Sequence, residues 1–379
     1  MINQVLKDKI LNFDKSKWKL TKLGTLAEDI SVRVDKPGES VYDRFVGLDN
    51  FVSGDIKINS WSSTKNLTSS AKEFKAGDIL FARRNAYLRR ASLVDFNGCC
   101  SGDAFVIREN LDKVIPSFLA FLMNSNNLWD YANSNAAGTM SKRVKWRDLA
   151  EYEFLLPPKN EQAEFVKLLW SLDDNIECKK KLLTKQENLF LSYSNLIFSN
   201  DKGNEIELKN IGKLIMGQSP DGNSYNEAGI GMPFLQGNAE FGELNPIFTK
   251  YTSRPKKVVP ENSILISVRA PVGDLNISDR EYCIGRGLAG LYIENTSLRS
   301  YVYNFLKYSK RELDKRSTGT TFKAINKDVL SSLKLVIPFE NELIVNSNNL
   351  EKILNTIDKM NSNIIACKAL KKSVINLLF

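Results

Sequence analysis

The sequence predicts an α+β chain in which one unit is built twice: two globular domains separated by an antiparallel coiled coil of two long helices, with an internal pseudo-two-fold repeat. Three observations predict it. Residues 138–162 align with residues 319–343 without a gap. Short apolar runs bounded by glycine and asparagine fill the middle of each half. Each half then closes on a proline followed by a long heptad run. The chain accordingly divides into a first domain over 1–160, a first helix over 161–200, a second domain over 201–340 and a second helix over 341–379.

The repeat is read first because it decides the architecture. GTMSKRVKWRDLAEYEFLLPPKNEQ lies over GTTFKAINKDVLSSLKLVIPFENEL, with identities at Gly138/Gly319, Thr139/Thr320, Lys142/Lys323, Leu149/Leu330, Pro157/Pro338, Asn160/Asn341 and Glu161/Glu342. Chance supplies about one or two. At the same offset Leu196-Ile197-Phe198 matches Leu377-Leu378-Phe379. Upstream, Leu20–Gly24 parallels Leu208–Gly212, and Gly77–Phe81 parallels Asn262–Ile266. The middles have otherwise diverged. A duplication with fixed ends and free middles suggests one frame carrying two specificities.

Within the variable parts, Gly47–Ile58, Asp78–Arg83, Ser263–Val268 and Gly290–Ile293 read as strands. Apolar residues at helical spacing predict helices over Ile115–Asn124 and Leu298–Leu313. The mixture implies a curved sheet with helices. Pro157, Pro158 and Pro338 stop a strand in each half, and Asn160 and Asn341 are candidate N-caps of the long helices.

From Glu161 to Phe198 a heptad holds Leu169, Ile176, Leu183, Phe190 and Ile197 at a, with Phe165, Leu172, Lys179, Gln186 and Tyr193 at d. The second run has Leu343, Leu350, Ile357, Ile364 and Leu378 at a, interrupted by Lys371, with Asn346, Ile353, Met360, Cys367 and Val374 at d. At about 1.5 Å per residue each helix reaches roughly 57 Å, longer than a small domain is wide. The helices therefore predict each other as partners, and the large domain between them lets the chain return antiparallel. Lys179, Gln186 and Lys371 weaken such a seam but restrict its register.

Composition narrows the function. The chain of 379 residues is 42% apolar and 26% charged, enough for two or three packed domains. Its net charge of +9 points to a polyanionic partner, most often nucleic acid. No 18-residue apolar run is present, so no membrane span is expected. The N-terminal stretch lacks the apolar core of a signal peptide. Five cysteines without C-x-x-C spacing (Cys99, Cys100, Cys178, Cys283 and Cys367) fit a reducing cytoplasm and argue against zinc. There is no histidine, which removes Ser-His-Asp and Cys-His nucleophiles and nearly all zinc sites. No phosphate-binding glycine loop or paired-carboxylate motif is present, so a hydrolase or transferase reading has little support, and neither a catalytic residue nor a metal or cofactor is expected.

The order of elements (domain, G-T segment, P-x-x-N-E, long helix, then all of it again) resembles the specificity subunit of type I restriction–modification systems. The resemblance covers essentially the whole chain. Its motifs are short, but their duplicated order is specific. It implies two target recognition domains, each reading half of a split, asymmetric double-stranded DNA site. It also implies a coiled-coil spacer, here Phe165, Leu169, Leu172, Ile176, Leu183 and Phe190 against Leu350, Ile353, Ile357, Met360 and Ile364. Two methyltransferase subunits would dock on the conserved helices, and restriction subunits would join through them. AdoMet, ATP and Mg²⁺ chemistry would belong to those partners, leaving this chain non-catalytic. The alternative is a coiled-coil scaffold with two protein-binding heads.

DNA reading asks for cations on phosphates and for Arg, Lys, Asn or Gln on base edges. Arg83, Arg84, Arg89 and Arg90 cluster after a predicted strand with Tyr87 among them, and Arg269 stands at the equivalent place, aligned with Arg84. The competing reading is a solvated charge run or a structural ion pair. In the G-T segments, Lys142 and Lys323 are candidate shared phosphate contacts, with Arg143, Lys145 and Arg147 serving one half only. That segment could instead pack under the helices, and Gly138-Thr139 and Gly319-Thr320 read as tight turns. Gln218, Gln236 and Asn238 offer loop amides suited to adenine edges, and Arg254, Lys256 and Lys257 add loop cations. Cys99 and Cys100 read as core. If Arg83–Arg90 and Lys142–Arg147 lay on opposite faces, the scaffold reading would gain.

Overall fold

The middle of each half, where the two sequences have diverged, folds to one strand pattern. The structure is a computed structural model that describes residues 14–138, 141–199, 203–317 and 324–379. The chain divides into two units, residues 1–181 with 361–379, and residues 182–360. No helix among the described residues is long and apolar enough to cross a membrane.

The first unit holds a four-stranded antiparallel sheet in the order Ala27–Asp29, Ala104–Glu109, Ile79–Ala82, Ala91–Leu93. A five-stranded sheet runs Arg33–Val34, Ala71–Phe74, Gly98–Cys100, Arg44–Val46, Ser62–Ser63, with Arg44–Val46 parallel to Gly98–Cys100. A ribbon of Lys19–Lys22 against Glu153–Leu156 closes the domain. Side chains alternate along the central strands. Ile79, Phe81, Phe105 and Ile107 enter the core shared with the helices, where Phe81 stacks on Trp129 at 4.4 Å. Leu80, Ala104 and Val106 enter the core shared with Phe74 and Cys100 of the other sheet. A strand buried on both faces reads as an unbroken apolar run, as Ile79–Ala82 does.

The second unit repeats this. Its four-stranded sheet runs Lys213–Met216, Leu288–Tyr292, Ile264–Ser267, Leu275–Ile277. Its five-stranded sheet runs Tyr225–Asn226, Tyr251–Thr252, Met232–Leu235, Tyr282–Ile284, Val258–Val259, with the parallel pair Met232–Leu235 and Tyr282–Ile284. Ile264 and Ile266 face one core and Leu265 the other. The units differ at the edges of the five-stranded sheet. The first adds Arg33–Val34 beside Ala71–Phe74, and the second adds Tyr225–Asn226 beside Tyr251–Thr252.

Several local expectations need correction. Gly47–Ile58 is not a strand: the strand ends at Val46 and a 3₁₀ turn follows over Leu48–Asn50, begun where the Asn50 side chain accepts from the Gly47 N–H at 2.8 Å. The helix read over Ile115–Asn124 is shorter, Phe118–Leu122, and a second, Asn126–Ser134, follows it where the Ser125 hydroxyl caps by accepting from Leu128 N. The helix read over Leu298–Leu313 spans Thr296–Arg316. The Leu20/Leu208 pairing is out of step by three residues. Leu23 and Leu208 are the true counterparts, both fully buried at the start of a 3₁₀ turn, their amides donating to Tyr152 O and Leu333 O. Gly77 and Asn262 do correspond, and both take a positive φ ahead of their strand.

The two long helices span Lys159–Phe198 and Glu340–Leu378. They start ahead of Asn160 and Asn341, so these asparagines sit inside the first turn and are not N-caps. The chain turns helical at once after the proline, with the Pro158 and Phe339 carbonyls accepting from Gln162 N and Leu343 N. Every assigned a and d residue on both helices is buried or half-buried. In the first unit Asp173 meets Lys371 and Asn175 meets Cys367, so those two stretches run antiparallel. In the second unit Tyr193 bonds Asn346 and Asn349. Val374, Ile375 and Leu378 lie in the first unit's core beside Phe165 and Leu169.

Candidate nucleic-acid interface

In both units the candidate arginine, just past the end of its strand, pairs with the G-T segment. Arg84 forms a β-bridge with Arg143, and Arg269 forms one with Ala324, residues equivalent at the repeat offset. The neighbouring amides repeat the contact: Val144 N donates to Arg83 O and Ile325 N to Val268 O, each at 2.9 Å. A turn packs alongside, Ser101–Ala104 after Gly98–Cys100 in one unit and Gly285–Leu288 after Tyr282–Ile284 in the other. Asp103 O accepts from Arg83 N, and Gly287 O accepts from Val268 N. Asp103 therefore stands where the second unit has Gly287.

That one difference changes the electrostatics. Asp103 Oδ1 lies 3.0 Å from Arg143 Nε and 3.9 Å from Arg83 Nε, and its Oδ2 lies 3.4 Å from Arg84 Nη1. Arg84 Nε also donates to Ser141 Oγ at 2.7 Å. Burial pulls the Asp103 carboxyl upward, but the hydrogen bond and charge of Arg143, joined by Arg84 and Arg83, outweigh it and hold the group below its usual range. Arg83 lies over the Phe105 ring, whereas Arg84 and Arg143 keep side chains 42% and 46% exposed.

Other candidates in the first unit have different surroundings. Arg89 donates to Asn126 Oδ1 at 2.7 Å and pairs with Asp130 at 2.6 Å, fastening its loop to the Asn126–Ser134 helix. Arg90 donates to Leu48 O at 2.8 Å. Both guanidinium groups are thus engaged inside the domain. Lys142 is exposed beside Arg84, its carbonyl accepting from Asn85 N. Lys145 is exposed at the N-cap of the Trp146–Leu149 turn, and Arg147 pairs with its neighbour Asp148. Cys99 and Cys100 are buried in the sheet, where burial pushes their thiols up to about 11 and about 12. The Lys323 candidate, with Thr139, Gly319 and Thr320, lies outside the described residues.

In the second unit the backbone gathers Gln218, Gln236 and Arg269 at one end of the sheets. Gln218 N donates to Ile284 O, Gly287 N to Gln236 O, and Val268 N to Gly287 O. The crossing is tight enough to require glycine. A Cβ on Gly217 would sit 2.0 Å from Gly285 O, and one on Gly287 would sit 2.6 Å from Gln236 O. Gln218, Gln236 and Arg269 are exposed. Among the described residues, the Arg269 guanidinium has no hydrogen-bond or ion-pair partner. Asn238 instead donates to Asp274 Oδ2 at 2.9 Å, and Lys256 pairs with Asp221 at 2.7 Å. Arg254 and Lys257 are exposed in the loop that includes Lys256. Arg286, exposed on the same turn as Gly287, joins the cluster and was missed. The Gly285-Arg286-Gly287 triplet was the available signal. Asp103 was missed as well, and a single carboxylate ahead of an apolar strand carries none.

One frame built twice, with unlike polar faces at equivalent places, defines a duplicated recognition protein. The family model for the type I restriction modification DNA specificity domain matches residues 15–188 and again 200–372. A chain of Methanocaldococcus jannaschii named as the type I restriction enzyme MjaX specificity subunit is 33% identical over 333 residues, 80% of this chain and 77% of that one. The HindI specificity subunit of Haemophilus influenzae is 28% identical over 44% of this chain and 38% of its own. Among solved structures, a chain from work on complex assembly and conformational transition of a type I R-M system superposes with TM-score 0.64 at 28% identity, covering 95% of this chain and 97% of that one. The S subunit from M. genitalium, at 17% identity, shares the fold with TM-score 0.62 over 98% of both chains. This chain belongs to the type I restriction–modification specificity subunits.

Proposed function

We propose that this chain is the non-catalytic DNA-reading subunit of a type I restriction–modification complex, in which each unit reads one half of a bipartite, asymmetric double-stranded target. The paired helices act as a coiled-coil spacer and as the docking surface for two methyltransferase subunits, with restriction subunits joining through these. The observation that carries this reading is the repeated bridge between the strand exit and the G-T segment, which presents Arg84 with Arg143 in one unit and Arg269 in the other. A shared frame with unlike side chains suits two unlike half-sites, since phosphate contacts position a protein while base-edge contacts specify. The scaffold alternative called for the two basic segments to face apart. Arg84 and Arg143 instead share one carboxylate, which favours DNA. The functional contacts fall on Arg84, Lys142, Arg143, Gln218, Gln236, Arg269 and Arg286, while Arg89 and Arg90 serve the domain's own packing.

The test is methylome sequencing of a host expressing this chain with its methyltransferase subunit. The expected result is a split adenine-methylation motif with two different halves. Methylation without regard to sequence, or a palindromic motif, would overturn the proposal.

A further inference from the structure

Three guanidinium groups from two segments converge on one carboxylate in the first unit: Arg83 and Arg84 at the strand exit and Arg143 in the G-T segment, all within 3.9 Å of Asp103. Three cations gathered around one carboxylate repel one another. Without a counter-charge the long side chains would spread into solvent and recover rotamer entropy. Asp103 is itself fixed. Its side chain is 20% exposed, its amide donates to Ser101 Oγ at 3.2 Å, and its carbonyl accepts from Arg83 N at 3.0 Å. Arg84 spends Nε on Ser141 and Nη1 on Asp103; among the described residues its Nη2 has no partner. In the second unit a carboxylate at Gly287 would collide with the Gln236 backbone, so that unit has no equivalent.

We propose that Asp103 is a positioning residue for sequence reading by the first unit. It holds Arg84 and Arg143 in one orientation before DNA arrives, and its negative charge opposes indiscriminate contact with phosphates. The inference rests on the half-site reading above. Asp103 acts through the arginines and touches no base. An arginine array ordered in advance loses less freedom on binding, and a carboxylate beside it weakens every phosphate contact, matched or not. Asp103 thus trades general affinity for discrimination, and the second unit, with Arg269 and Arg286, lacks this arrangement.

The test uses the full chain assembled with its methyltransferase subunit, carrying Asp103→Asn or Asp103→Glu. The probes are the duplex bearing the motif found by methylome sequencing and a random-sequence duplex of equal length. For Asp103→Asn, discrimination at the first half-site should fall about tenfold, while the second half-site is read as before. Affinity for the random duplex should rise several-fold, with a steeper salt dependence. Asp103→Glu keeps the charge on a longer arm, so it should lose discrimination without gaining random-duplex affinity. Unchanged reading of the first half-site by a folded Asp103→Asn chain would overturn the inference, as would equal loss at both half-sites. A gain in random-duplex affinity by Asp103→Glu as large as by Asp103→Asn would sink the charge argument. A wild-type complex that specifies no motif would instead overturn the half-site reading itself.

Discussion

Arg84 and Arg269 occupy the same place in two frames with different surroundings, and that sets what their loss should do. An arginine bidentate to a guanine edge is worth about 1–3 kcal/mol of discrimination. Arg84→Ala and Arg269→Ala should each relax one half of the methylated motif and leave the other intact, read directly by methylome sequencing. Relaxation of both halves by one change, or of neither, would show the contact assignment to be wrong. Glu109 supplies a second prediction at this scale. Its two oxygens accept from Ser117 N and Leu119 N, each at 2.7 Å, at the start of the Phe118–Leu122 helix. Burial pushes its carboxyl up to about 7 from an ordinary 4.5, against the lowering effect of those two bonds. The folded value is the higher one, so between the two the folded chain binds a proton that the unfolded chain has released. Stability from this group is full below about 4.5, and roughly 3 kcal/mol is lost as pH rises through about 7. Urea unfolding across that range should show wild-type stability falling relative to Glu109→Gln; parallel curves would refute it. Neither the Glu109 contact nor the Asp103 cluster was legible in the sequence, because each joins a carboxylate to partners set by the fold. The arginines were legible as a cluster, but the four in Arg83–Arg90 could not be sorted. Arg89 and Arg90 bond helix and loop atoms whose proximity no spacing rule encodes.

Among the elements, the long helices were the most legible, since a heptad is a local property and survives any tertiary context. Strands buried on both faces were legible as apolar runs. The 3₁₀ turn over Leu48–Asn50 was not, because its apolar residues pack from an irregular loop. The order of the five-stranded sheets, with a parallel pair inside an otherwise antiparallel arrangement, carries no periodicity signal at all. Lys371 shows where a pattern is right and its meaning incomplete. It occupies an a position and breaks the apolar seam as expected, but its ammonium is buried 2.7 Å from Asp173 and also donates to Gly54 O at 3.1 Å. One side chain therefore ties the second helix to the first and to a loop of the first domain. Removing one member of a buried pair typically costs about 3–5 kcal/mol, because the other charge is left uncompensated, whereas replacing both with apolar groups is often neutral. Lys371→Met should thus lower stability by several kcal/mol, and the double change Lys371→Met with Asp173→Leu should recover most of it, measured by denaturant unfolding. If the double variant were no better than the single one, the Gly54 contact rather than the ion pair would be the main tie.

At the scale of the whole molecule, the duplication does not map one continuous segment onto one folded unit. The first unit takes its last elements from the far end of the chain, residues 361–379. Val374, Ile375 and Leu378 are at most 4% exposed within its core, Phe379 packs edge-on against Phe118 at 5.2 Å, and Asn376 accepts from Asn126 N at 2.8 Å. Burying each aliphatic side chain contributes about 1.5–3 kcal/mol, so the three together rival the roughly 5–15 kcal/mol that keeps a domain folded. The second unit draws its core from within residues 182–360. Deleting residues 361–379 should therefore damage the N-terminal domain and spare the domain adjacent to the cut. Hydrogen exchange resolved by peptide would read this directly. Peptides from Ala104–Glu109 should lose protection while those from Leu288–Tyr292, the equivalent strand, keep theirs. In the methyltransferase complex, the same deletion should erase the first half of the target before the second. Loss of protection confined to Leu288–Tyr292, or spread evenly over both strands, would mean that the C-terminal helix supports the domain it follows in sequence rather than the one whose core it fills.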